Sequence, residues 1–97
     1  MAKKITYECG RVCKAVPKTI HLAAGDQVTL KAKNVDVDIT FKKASPFTSG
    51  ALKIHIPKGS SDLEVVKASA YGTFEYTLRC TNPICPSSVS NPKMIVP

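Results

Sequence analysis

Cys9, Cys13, Cys80 and Cys85 are the residues best able to do chemistry in this 97-residue chain. They form two close pairs, Cys-x3-Cys near the start and Cys-x4-Cys near the end. Three readings compete for them. In the first they are structural disulfides, most simply Cys9–Cys13 and Cys80–Cys85. Each such bond closes a short loop and contributes about 2 kcal/mol on the chain-entropy account. Cross-pairing, such as Cys9–Cys80, would tie the chain ends together and contribute more, and three connectivities are open. In the second reading all four sulfurs are thiolate ligands of zinc, iron or copper(I). Both spacings fall in the range of paired ligands, although neither is the preferred Cys-x2-Cys. In the third they are exchangeable thiols, with Arg11, Lys14 and Arg79 favouring the thiolate form.

The other chemically capable side chains read as surface or core. His21 alternates out of phase with Ile20 and Leu22, and His55 lies between Ile54 and Ile56. Both are expected on exposed sheet faces. Asp36 and Asp38 point the same way along a strand but lack the further carboxylates a hard cation needs. Met94 is expected in the core. No Ser/His/Asp set, no phosphate-cradling glycine loop and no paired glutamates occur, so no enzyme is expected.

The elements that position these residues follow from period-two alternation. Ile5 and Tyr7 alternate with Lys4 and Thr6 in a first strand of about residues 3–9. Thr19–Leu22 follows, then the turn chemistry of Ala24-Gly25-Asp26. Val28, Leu30 and Ala32 mark one strand, and Val35, Val37, Ile39 and Phe41 mark the cleanest one. Residues 45–50 read as a loop. Leu52, Ile54 and Ile56 form the next apolar face, and Leu63, Val65 and Val66 a short strand. A turn or two of helix over 61–70, capped by Ser61, is the one helical alternative. Phe74, Tyr76 and Leu78 share a face of a strand starting at Gly72. Residues 81–92 read as a long loop, and Lys93–Val96 as the last strand. Seven or eight short strands between Gly/Pro turns predict an all-β Greek-key sandwich or barrel, a single domain over residues 1–97. Cys9 continues the Ile5/Tyr7 face and Cys80 the Phe74/Tyr76/Leu78 face. If the first and penultimate strands are parallel neighbours, the four sulfurs gather at one end.

Gly72-Thr73-Phe74-Glu75-Tyr76-Thr77-Leu78-Arg79-Cys80 resembles the penultimate strand of cupredoxins, which runs into a copper-ligating Cys. Ala24-Gly25-Asp26-Gln27-Val28-Thr29-Leu30, Asn34–Phe41 and Pro92–Val96 resemble further segments of that family, in order. Tyr76 matches its tyrosine corner. The resemblance implies a cupredoxin-like fold with all four cysteines at the copper pole. It does not bring the copper ligands with it. Type-1 copper uses two His, a Cys and usually a weak Met. The first His position falls at Val37 or Asp38, the second on Cys85, and the Met position on Val89 or Ser90. A type-1 centre is therefore not expected, and copper or zinc bound by the four cysteines is the metal alternative. The resemblance leads to a small metal-binding, redox or electron-transfer module, with a non-catalytic, disulfide-stapled, metal-free β-sandwich as the alternative.

Composition limits the partners. The chain carries 14 Lys plus Arg against 7 Asp plus Glu, a net charge of +7. The basic residues are scattered rather than gathered on one element with interleaved aromatics, so no nucleic acid is expected. The charge would steer toward an acidic protein partner. No stretch approaches the length of a membrane span, and a monomer is expected. The start has no apolar leader region. The chain enters its first strand at once and ends directly after its last, as a domain trimmed of its leader would. An exported, periplasmic location is expected, with the cytoplasm as the alternative.

Overall fold

The structure, a computed structural model, describes residues 2–82, 84–86 and 91–97. Ten strands run along it. They are β1 (Ala2–Cys9), β2 (Cys13–Val16), β3 (Thr19–His21), β4 (Gln27–Ala32), β5 (Asp36–Phe41), β6 (Lys53–Ile56), β7 (Ser61–Val65), β8 (Gly72–Asn82), β9 (Ile84–Cys85) and β10 (Lys93–Val96). They form two sheets, one ordered β2-β1-β4-β7 and the other β3-β10-β8-β5-β6 with β9 on β8. The all-β sandwich expected from alternation is what forms, and no helix replaces 61–70. Among the described residues no helix is long and apolar enough to cross a membrane.

Alternation explains the core, because residues of one parity on each strand meet between the sheets. Ile5, Tyr7, Val28 and Leu30 from the first sheet face Val37, Ile39, Phe41, Tyr76 and Met94 from the second, all buried. Aromatic rings knit the middle: Phe41 packs on Phe47 at 5.8 Å and on Tyr76 at 5.4 Å. Phe47 belongs to the stretch read as a loop, yet it is fully buried and bridges to Val66. The turn before β4 is closed twice over. Ala23 N donates to Asp26 Oδ2 at 2.8 Å, and Asp26 N donates to Ala23 O at 3.0 Å. Gly25 takes a φ of 84° there, a conformation natural to glycine.

Two readings of the sequence change. Residues 81–92 are not simply a loop, since β8 runs on to Asn82 and β9 folds back onto it. Cys13, which falls between the expected strands 3–9 and 19–22, lies in a strand of its own, β2, because Lys14 and Val16 alternate outward against buried Cys13 and Ala15. Strand β7 forms where the short strand was expected, with its polar parity inward. Its Glu64 and Asp62 stand opposite core-facing Val28 and Leu30 of β4, while Leu63 stands opposite Thr29 and is exposed. Residues directly opposite in a ladder share a face, so the pairing register with β4 overrides hydrophobicity on this edge strand. Inward carboxylates on an edge strand also discourage pairing with another chain.

That inversion has a pH signature. Partial burial and the neighbouring Asp62 raise Glu64 from its usual 4.5 to about 7, against the lowering effect of the Ser49 hydroxyl bonded to it at 2.8 Å. Asp62 Oδ2 beside it is buried without a hydrogen-bond partner, which adds to the cost of charge on Glu64. The folded chain thus holds a proton that the unfolded chain releases above about pH 4.5. The stabilisation is complete below that pH and is lost as pH rises toward 7. Urea unfolding from pH 4.5 to 7.5 should show this decline, and Glu64→Gln should flatten it.

Candidate functional site

Two hairpins build the sulfur pole. In the first, β1 and β2 pair antiparallel with Cys9 opposite Cys13. In the second, β8 and β9 pair with Cys80 opposite Cys85. The hairpins belong to different sheets, so β1 and β8 are not the parallel neighbours on which the gathering of sulfurs was conditioned. The sulfurs converge across the sandwich instead.

They do so as two disulfides, Cys9–Cys85 and Cys13–Cys80, with Cα separations of 6.1 and 5.7 Å. The local pairing Cys9–Cys13 and Cys80–Cys85 does not occur. The reason is geometric. Directly opposed residues project their side chains in parallel with Cβ atoms about 4.5–5.5 Å apart, beyond the ~3.8 Å a disulfide prefers. Each sulfur therefore bonds across to the facing hairpin. A backbone bond reinforces the junction, with Cys13 N donating to Pro86 O at 2.6 Å.

The four residues of the thiolate reading are thus brought together, but with their sulfurs bonded to one another and no free cysteine. Among the described residues no group of three or more His, Cys, Asp or Glu is placed to hold a metal ion. The cysteines differ in access. Cys13, Cys80 and Cys85 are 0%, 3% and 5% exposed, whereas Cys9 is only half-buried. The basic residues read as thiolate-favouring are engaged or turned outward. Lys14 pairs with Glu8 at 3.7 Å, and exposed Arg79 stands opposite Asp38 on the far face of the second sheet.

Asn34 has a role that residue types alone did not signal. Its Oδ1 accepts from Cys9 N at 2.9 Å and its Nδ2 donates to Cys9 O at 3.0 Å. Both backbone groups of Cys9 are therefore held by one side chain. Its place just ahead of the alternating Val35–Phe41 run was the available clue.

A type-1 copper centre does not fit these residues. Val37 stands beside Cys80 in the ladder, fully buried, where an imidazole would be needed. Asp38 faces outward and binds His55 Nδ1 at 2.7 Å. Cys85 is bonded to Cys9. Val89 and Ser90 lie outside the described residues, and Met94 is buried beside Ile20 and Phe74 in the ladder of β10. His21 and His55 are exposed on sheet faces, as their parity predicts.

Beneath the pole, the hydroxyls of Tyr7 and Tyr76 meet at 3.1 Å, with the rings edge-to-face at 6.4 Å. Burial, joined by the charge and hydrogen bond of Tyr76, raises Tyr7 well above its ordinary value. Burial likewise raises Tyr76 to about 12, against the lowering effect of the Tyr7 bond. Both phenols stay protonated at physiological pH, so Tyr76 spends its hydroxyl on another strand's side chain.

No protein-family model and no curated protein matches the sequence. Solved structures do. A proline-to-glycine mutant of amicyanin in its reduced Cu(I) form at pH 4 matches with TM-score 0.56 and 22% identity, over 100% of this chain and 81% of that one. A copper binding protein in the apo form matches with TM-score 0.53 and 18% identity, over 100% of this chain and 98% of that one. Fet3p, a multicopper oxidase that functions in iron import, matches with TM-score 0.53 and 14% identity, over 99% of this chain but only 23% of that one. At these identities the likeness speaks to architecture, and the architecture of this chain is the cupredoxin-like β-sandwich.

Proposed function

We propose that this chain is a small metal-binding or electron-transfer module that works through sulfur rather than through a type-1 copper site. It would be a carrier rather than an enzyme, acting as a monomer on an acidic protein partner in an oxidising, extracytoplasmic compartment. The supporting observation is the convergence of Cys9, Cys13, Cys80 and Cys85 on one pole, beside Val37. Two copper proteins among the structural neighbours make metal chemistry at this fold a reasonable expectation. Disulfides persist where the surroundings are oxidising, which supports the compartment. In the oxidised form the sulfurs hold one another. Reduction by four electrons would free four thiols at one place, a set suited to zinc or copper(I).

Thiol counting beside metal analysis tests this, on protein as isolated and after anaerobic reduction of both bonds in denaturant followed by refolding. The expected result is no thiol and no metal when oxidised, then four thiols and one bound equivalent of zinc or copper(I) when reduced. Because metal binding and folding are linked, uptake should keep the near-ultraviolet tyrosine signal of the folded state. Four thiols with no metal uptake would sink the metal form. That outcome would favour the stapled, metal-free domain, for which the complete burial of Cys13 already speaks.

A further inference from the structure

We propose that the two disulfides divide the labour: Cys9–Cys85 is a thiol-exchange site for a dithiol protein, and Cys13–Cys80 is a closed staple. This rests on the sulfur-based reading above and names the reaction and reaction partner of that site.

Exchange requires a thiolate to reach a disulfide sulfur, so access decides which bond reacts. Cys13 and Cys80 are both inside the sandwich, and neither end of their bond can be approached while the chain is folded. Cys9 is the half-buried member of the other bond, at the last position of β1. Beyond it lies the exposed tip Gly10-Arg11-Val12, with Val12 36% exposed. On the facing hairpin, Ile84 precedes Cys85 and is 88% exposed. Each cysteine of the bond thus has an exposed apolar residue close by in its own hairpin, Val12 and Ile84, available to a protein reductant that docks over the hairpin tips. A dithiol occupant is favoured, because its second thiol resolves the mixed disulfide within one complex, whereas a monothiol needs a second molecule to do so.

One thiolate of the partner attacks Cys9 Sγ, and the Cys9–Cys85 bond breaks with its electron pair passing to Cys85 Sγ, which takes up a proton. The partner's second thiolate then attacks the mixed disulfide and releases Cys9 as a thiolate, which is protonated in turn. Two electrons and two protons have moved, the partner is oxidised to its disulfide, and Cys9 and Cys85 are thiols. Asn34 keeps its two bonds to the Cys9 backbone, and Cys13–Cys80 holds the hairpins together. The thiols therefore stay poised to close again.

The test is selective reduction of the folded protein by limiting dithiothreitol and, separately, by a reduced thioredoxin-type protein. Alkylation and peptide mass then locate the freed thiols. The expected result is labelling of Cys9 and Cys85 alone, with Cys13 and Cys80 labelled only in denaturant. Ile84→Ser should slow reduction by the protein roughly tenfold, the scale of one lost aliphatic contact, and leave the dithiothreitol rate unchanged. Opening of Cys13–Cys80 first, or of both bonds together, overturns this inference while metal uptake by the fully reduced protein still stands or falls separately. An Ile84→Ser variant reduced by the protein at the parent rate overturns the docking surface. If neither bond opens in the folded state, the exchange site and the redox form of the proposed function fail together.

Discussion

Loss of both disulfides should cost more than the sum of losing each alone. The two bonds span 76 and 67 residues and are nested, one closing just inside the other. With Cys9–Cys85 in place, forming Cys13–Cys80 closes only a ring of about eleven residues, worth about 3 kcal/mol on the chain-entropy account. The same holds with the roles exchanged. Once one bond is gone, however, the other is the sole closure of a long loop, worth about 4.5 kcal/mol. Removing both therefore costs about 7 kcal/mol, exceeding the two single losses by between 1 and 2 kcal/mol. Domains of this size have roughly 5–15 kcal/mol in total. Cys9→Ala/Cys85→Ala and Cys13→Ala/Cys80→Ala should each stay folded, while the quadruple variant sits at the edge of unfolding. Urea midpoints of the three proteins check this, and strict additivity would contradict the nesting argument.

The second large effect lies at Tyr76. Its ring touches Phe41 and Tyr7 at the centre of the sandwich, and its hydroxyl is the partner of the Tyr7 hydroxyl. Tyr76→Ala removes the ring and leaves a cavity, a loss of about 3–5 kcal/mol by analogy with other large aromatic truncations. Tyr76→Phe keeps the ring and strands the Tyr7 hydroxyl in the core, a cost of about 1–3 kcal/mol. Adding Tyr7→Phe to Tyr76→Phe should recover part of that cost, because neither polar group is then left buried alone. Thermal unfolding of the three variants separates packing from hydrogen bonding. If the double Phe variant is less stable than Tyr76→Phe, the hydroxyl pair is not what Tyr7 needs.

The strands bearing the core were legible because alternation reports which residues share a face. Ile5/Tyr7, Val28/Leu30 and Val37/Ile39/Phe41 are buried as read. Alternation does not report which face turns inward when a strand is short and mixed. In β7 the register with β4 turns Asp62 and Glu64 inward and leaves apolar Leu63 exposed, which residue types alone do not show. Hairpins β1–β2 and β8–β9 were hidden for a different reason. The Pro/Ser-rich stretch after Cys80 reads as loop punctuation, and Cys13–Val16 and Ile84–Cys85, 4 and 2 residues long, are too short for alternation to stand out. The site was legible in its members and its pole but not in its bonds. Connectivity depends on which way paired cysteines point, and spacing carries no information about that.

The nested bonds also govern how the molecule answers to force. A load carried along the chain past both sides of the domain is borne by the Cys9–Cys85 bond. The stretch between Cys9 and Cys85, 76 positions apart, adds nothing to the length of the oxidised chain under load. Everything between is shielded from tension. Breaking the bonds would release the hidden length, so the redox state of the pole sets whether this domain behaves as a short tether or a long one.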